Sequence, residues 1–236
     1  MNIAIVGAGP RGLSLANRIA ARFSKTDKNV SIKLFDPYGA GGRVWSPDIK
    51  NNSLLVTNTV VSQIDFFIDK SVKDPGPIFK GKNLYEWLKD DAEEYIKKHA
   101  ANKDYLKKIN VEPNDYVVRG LVGLYQAWFY DNTKIKSSNN VLIDLEKEEI
   151  KSIDKKENGF ELFFENKSRE KEFFDFVILA LGFGNDKLTD QEKTLSDFAN
   201  RHGLIYKAPF HPSQVDLLKV PANKPIIIRG LGLSFF

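Results

Sequence analysis

The segment Gly7-Ala8-Gly9-Pro10-Arg11-Gly12 constrains this chain more than any other. It lies between a short apolar run, Asn2–Val6, and a run with apolar residues at Leu13, Leu15, Ala16, Ile19, Ala20 and Phe23. The first run reads as a buried strand and the second has a helical period. Val30–Phe35 then alternates apolar and polar residues and reads as a second strand. Strand, glycine turn, helix and strand make a βαβ unit, whose two strands lie parallel. An acid, Asp36, ends the second strand. A GxGxxG pattern is weak by itself, but here the strand before it, the helix after it and the acid beyond it all support a dinucleotide site.

Each residue type has a physical reason to be there. Gly7 permits the tight turn out of the strand, Gly9 lets backbone approach a pyrophosphate, and Gly12 allows the helix to pack closely on the strand. The helix start, at Pro10, offers unpaired N–H groups and a positive dipole end. Asp36 suits hydrogen bonds from an adenosine ribose and would repel a 2′-phosphate, so this first site fits FAD or NAD better than NADP. Arg11 reads as a solvated residue of the first turn, although a phosphate lies within its reach in this arrangement.

The rest of the chain reads as follows. Asp36 to about Lys82 is irregular but carries Trp45, Leu54, Leu55, Phe66 and Phe67, so an ordered loop is expected. Asn83 to about Ile109 reads as one helix, broken before Pro113, and Arg119 to about Ile135 as another, giving a helical insertion near 83–137. Val141–Leu145, Glu149–Asp154, Phe160–Glu165 and Glu170–Phe174 have strand character, with Glu157-Asn158-Gly159 as a hairpin signal, so a β-meander is expected over about 141–174. Phe176–Leu181 is a continuous apolar strand running into Gly182-Phe183-Gly184. Thr189 to about His202 is a helix capped by Thr189 or Asp190. Pro225–Arg229 reads as a last strand, running into Gly230-Leu231-Gly232. Because no helix follows that turn, the chain reads as truncated there. The expected fold is α/β, a Rossmann-like parallel sheet with a β-meander crossover and a helical insertion, forming one FAD/NAD(P)-binding domain over 1–236.

Composition narrows the chemistry. With no cysteine, a disulfide framework, a Cys-ligated metal and a dithiol redox pair are excluded. The three histidines, His99, His202 and His211, are far apart, which argues against a histidine metal site; His211, between prolines, reads as structural. The net charge of +4 is spread among acids as solvated helix faces, so no nucleic-acid partner is expected. No apolar run approaches ~18 residues and the N-terminus lacks a basic stretch, so a cytoplasmic protein without a membrane partner is expected.

Two features favour FAD over NAD: the loop Gly41-Gly42-Arg43-Val44-Trp45 after Asp36, and the meander before the Phe176 strand. Arg43 reads equally as a phosphate partner and as a surface arginine. Trp45 reads as core or as packing beside a flavin. Thr57, Asn58 and Thr59 form a polar island that suits either a flavin edge or a local turn. Tyr125, Trp128, Phe129 and Tyr130, at near-helical spacing, read as core.

With Ala180-Leu181-Gly182 ending the apolar strand where the family pattern is Ala-Thr-Gly, the chain resembles the two-dinucleotide-binding flavoproteins. Within them it is similar to relatives of the lysine and ornithine N-hydroxylases, over Gly7–Ser14, Gly41–Trp45, Leu54–Val60, Arg119–Tyr125 and Ile228–Phe236. The resemblance implies FAD, a turn at Gly182 that returns the chain to the FAD domain, and monooxygenase-like chemistry on a small molecule with NADH or NADPH as reductant. The rival reading is a dinucleotide-binding module without its own catalysis. Neither points to a catalytic side chain, as expected where the cofactor carries the chemistry. Substrate and oligomeric state stay open.

Overall fold

The computed structural model describes residues 1–68, 71–182, 187–214 and 219–230. The chain divides into two compact units, Met1–Asn185 and Asp186–Phe236.

The first unit is built on a four-stranded sheet. β1 (Asn2–Val6) leads through the glycine turn into α1 (Pro10–Phe23) and β2 (Val30–Phe35). α2 is one turn, Gly42–Trp45, and the 3-10 turns Lys50–Ser53 and Val61–Gln63 follow it. Then come α3 (Leu84–Asp90), α4 (Ala92–His99) and a 3-10 turn at Lys103–Lys108. α5 (Arg119–Lys136) delivers β3 (Val141–Glu146). β4 (Ile150–Lys156), β5 (Gly159–Phe164) and β6 (Glu172–Phe174) precede β7 (Phe176–Leu179). The sheet order is β3-β2-β1-β7 and every pairing is parallel, with Val6 opposite both Phe35 and Leu179. Numbered along the parallel strands alone, this is the 3-2-1-4 order with which a Rossmann sheet begins.

β1 is buried on both faces because both are covered. Ile3 and Ile5 pack with Leu13, Ala16 and Ala20 of α1 and Phe129 of α5. Ala4 and Val6 face Leu162, Phe164 and Phe174 of the antiparallel β4-β5-β6 meander. Asn17 of α1 donates to Thr133 Oγ1 of α5 at 2.9 Å, both buried, so the polar link between these helices is internally satisfied.

Several expectations are corrected. The segment at 83–109 is two short helices and a 3-10 turn, not one helix. Asp91 takes φ −120°, which ends α3 and starts α4, while Leu84, Leu88, Ala92 and Ile96 still share one core. The break is therefore local, and the apolar spacing does not reveal it. Val141–Glu146 is not part of the meander: it pairs with β2 as an edge of the parallel sheet, so the meander holds three strands, β4 to β6. α5 does not belong to the insertion alone. Leu121, Leu124 and Tyr125 pack with α3 and α4, whereas Phe129 packs on the sheet, which makes α5 also the crossover helix into β3. β7 stops at Leu179 and is the open edge of this sheet among the described residues, with Phe176 and Leu179 exposed.

In the second unit, α6 (Asp190–Arg201) begins with a capping box. Thr189 Oγ1 accepts from the Glu192 N–H, and Glu192 accepts from the Thr189 N–H at 2.7 Å. Pro225–Arg229 is not a strand: no ladder partner lies beside it among the described residues, and Ile227 is fully exposed. Backbone hydrogen bonds to a neighbour, not apolar composition, make a strand. Phe183-Gly184 and Leu231–Phe236, including the second glycine turn beyond Gly230, lie outside the described residues. Among the described residues, no helix is long and apolar enough to cross a membrane.

Candidate dinucleotide site

The site lies where β1 and β2 end, the place at which an open α/β sheet binds ligands. Gly7 leaves β1 at φ +106° and donates to Phe35 O at 2.8 Å. A Cβ on Gly7 would sit 2.2 Å from Ala180 O, and one on Gly12 would sit 2.0 Å from Gly7 O. Gly9 is different. A Cβ there would meet nothing closer than Gly41 O at 3.9 Å. Packing therefore accounts for Gly7 and Gly12, whereas the space beside Gly9 is open. An open approach to backbone at the middle glycine is what a pyrophosphate needs, so the turn fits the group.

Gly9 is also the N-cap of α1. It offers no side-chain acceptor, and Pro10 fills the first helical position, where its missing N–H costs nothing. The N–H groups of the first turn point from the helix end with its positive dipole, an arrangement suited to phosphate. Arg11 is exposed, as its reading as a solvated residue requires.

Asp36 stands at the end of β2 and does more than wait for a ribose. Its Oδ2 accepts from Ala8 N–H at 2.9 Å and its Oδ1 from Tyr38 N–H at 2.9 Å. Burial pushes its carboxyl up from the ordinary aspartate value, against the two N–H donors and the Arg43 charge, which pull it down. Each carboxylate oxygen keeps further acceptor capacity. Asp36 thus ties the exits of β1 and β2 together and remains able to accept from a ligand hydroxyl.

The loop after Asp36 folds back over the turn. Gly41 donates to Ala8 O at 2.8 Å, and a Cβ on Gly42 would lie 3.1 Å from Asp36 Oδ2 and 3.7 Å from Gly9 Cα. Gly9, Asp36 and Gly41–Trp45 are therefore brought together. Arg43 interacts electrostatically with Asp36, and its guanidinium lies 5.9 Å from the Tyr38 ring centroid. The half-buried Trp45 ring lies 5.7 Å from the Arg119 guanidinium at the start of α5.

The remaining sequence candidates in the first unit make no hydrogen bond to Gly9 or Asp36 among the described residues. Asn58 and Thr59 are exposed and make no side-chain hydrogen bond among the described residues. Their neighbour Thr57 is buried, and its Oγ1 accepts from Val117 N–H at 3.3 Å. The polar island is a structural junction with the segment entering α5. Gly182 turns at φ +65° but has open space around it, and Ala180 is the residue that abuts Gly7. His211 Nδ1 lies 2.8 Å from Ser213 Oγ, a local contact.

Sequence reasoning missed the floor of the loop. α5 presents Gly120, Gly123 and Gln126 along one side. A Cβ on Gly123 would lie 2.0 Å from Trp45 O, so helix and loop touch backbone to backbone. Gln126 follows one turn later, fully buried, with Cδ 3.9 Å from where a Cβ on Gly41 would be. Two glycines inside a helix, each costing about 1 kcal/mol relative to Ala, were the available signal.

Residues 4–184 match the FAD-NAD(P)-binding family. The chain belongs to this family. The matched residues lie within the first compact unit. The chain is 31% identical over its whole length to nitrosuccinic acid synthase npaA of Aspergillus oryzae, covering 34% of that protein. It is 29% identical over 99% of its length to an L-aspartate N-monooxygenase (nitrosuccinate-forming) of Streptomyces davaonensis, covering 37% of it. The chain thus spans about a third of the length of these curated relatives. The solved structure of OTEMO with FAD and NADP aligns over 80% of this chain and 27% of its own, at 12% identity and a TM-score of 0.43.

Proposed function

We propose that the chain holds FAD in a flavin-dependent monooxygenase-like oxidoreductase that takes its electrons from NADH or NADPH. The observation that carries this reading is the contrast among the three glycines: packing fills the space at Gly7 and Gly12 and leaves it open at Gly9. Gly9 and the N–H groups opening α1 would receive the pyrophosphate, and Asp36 would accept from the adenosine ribose. Arg43 would balance phosphate charge, and Trp45 would pack beside the cofactor. Gly182, with open space beside it two residues beyond Ala180, and the exposed Asn58 and Thr59 would be free to meet the flavin end of the cofactor. Bound FAD supplies the two-electron and oxygen chemistry that side chains do not provide. The chain's own residues bind and orient.

The relatives named above support a narrower proposal, that the amine nitrogen of an acidic amino acid is the group oxidised. Those activities belong to proteins about three times as long. Cofactor holding is therefore assigned to this stretch and turnover to the whole protein.

The test is spectroscopic. The purified chain, titrated with FAD, should show a perturbed flavin absorbance and quenched flavin fluorescence. Protein that leaves the FAD spectrum unchanged would refute the reading. If FAD binds, anaerobic NADH or NADPH separates the two assignments: bleaching by this chain alone would place reductant binding within it.

A further inference from the structure

Gln126 is fully buried, and neither Oε1 nor Nε2 of its amide has a hydrogen-bond partner among the described residues. A buried amide left unpaired forfeits its hydration without replacement, and native proteins keep few of them. The cost is offset if another state of the molecule satisfies the group.

The surroundings identify that state. Gln126 lies against the turn Gly39–Gly42, with Cδ 3.9 Å from a Cβ placed on Gly41. The same turn touches the dinucleotide cradle on its other side, where Gly41 O lies 3.9 Å from a Cβ on Gly9. The turn is therefore sandwiched between the open space at Gly9 and the orphaned amide. Gly41 and Gly42 hold φ +97° and +61°, so no side chain hinders a rotation of the turn, but the Gly39, Gly41 and Gly42 N–H groups bond Asp36 O, Ala8 O and Gly39 O, and a new bond to the amide must replace one of these. A rigid floor lies beneath it, because α5 meets Trp45 O backbone to backbone at Gly123.

We propose that Gln126 is a positioning residue for the cofactor: when a dinucleotide enters beside Gly9, the Gly39–Gly42 turn, which already rests on α5, exchanges one of its backbone hydrogen bonds for one to the Gln126 amide. The amide is then satisfied in the bound state and unsatisfied in the free one, which couples cofactor affinity to a residue that does not touch the cofactor. This rests on the FAD reading given above.

The experiment compares wild type with Gln126→Met, which keeps side-chain length and removes the amide, and with Gln126→Leu as a second variant. Urea unfolding is measured without cofactor, and FAD affinity by fluorescence titration. The expected result is a crossing: the cofactor-free variants are as stable as wild type or more so, while their FAD dissociation constant rises on the order of tenfold, the worth of one or two hydrogen bonds. Unchanged FAD affinity would overturn the proposal. So would a loss of cofactor-free stability or a failure of both variants to fold, since the amide would then have a structural partner such as a buried water. If wild type itself binds no FAD, the functional reading fails first, and that outcome is distinct from a variant that binds as wild type does.

Discussion

At Gly7 and Gly12 a methyl group has nowhere to go. The atoms it would strike are backbone carbonyl oxygens at 2.2 and 2.0 Å, which cannot swing aside as a flexible side chain would. Alanine at either position should lower stability by on the order of 2–4 kcal/mol in the absence of any cofactor. Gly9→Ala should cost less than about 1 kcal/mol, the penalty of a poorer N-cap, and yet weaken FAD binding. Urea unfolding and FAD titration of the three variants check this, and equal destabilisation at all three would remove the special status of Gly9. The three glycines and Asp36 were legible in the sequence because their roles are set within one βαβ unit. The double duty of Asp36 was not, since the pattern that assigns it to a ribose says nothing of Ala8 and Tyr38 N–H groups. Gln126 and Gly123 were illegible for another reason: what they touch is about 80 residues earlier in the chain, and only packing brings it there.

Between elements, a charged cluster joins the meander to the parallel sheet. Arg169, before β6, pairs with Glu146 of β3 and Glu172 of β6 and lies 3.8 Å from the Phe164 ring centroid. Lys33 of β2 reaches the same two acids at 3.0 and 2.8 Å. Burial alone would lower the Lys33 pKa, but the hydrogen bonds it donates to Glu172 and Glu146 prevail and raise it. Arg169→Ala removes the cation over the ring and leaves two partly buried carboxylates with one partner. It should destabilise the first unit by about 1–3 kcal/mol, with the loss shrinking as salt is added. An unfolding midpoint equal to wild type at low salt would contradict this. The same region shows where strand patterns mislead. Val141–Glu146 alternates buried and exposed residues just as a meander strand would, and nothing local says that its partner is β2. Likewise Leu84, Leu88, Ala92 and Ile96 keep helical spacing across a break made by one backbone angle at Asp91.

For the molecule as a whole, buried phenols set an alkaline limit. Burial pushes Tyr105 up to about 12, and burial also raises Tyr95, Tyr125 and Tyr130, the first with help from its hydrogen bond to Asp131. The folded state therefore keeps protons that the unfolded chain sheds near pH 10. The sign follows: the stability these groups contribute is intact below about pH 10 and is lost as pH rises through about 12. Phenolate absorbance and far-ultraviolet circular dichroism, followed together, should show these tyrosines ionising as the structure is lost. Complete ionisation of every tyrosine by about pH 11 with unchanged dichroism would contradict it.

The order β3-β2-β1-β7 also sets a schedule. β1 and β2 lie next to each other in the chain, but the neighbours that flank them, β3 and β7, begin at residues 141 and 176. The turn at Gly7 is closed by Ala180, whose N–H bonds Val6 O at 2.8 Å. Contacts of such long range form late and slow the search for the native state. The nucleotide cradle, although its motif lies within residues 7–36, is closed only when β7 stands beside β1. The cradle is therefore a property of the assembled sheet, and a chain cut before β7 should lose the closed turn at Gly7 even though every residue of the glycine motif is still present.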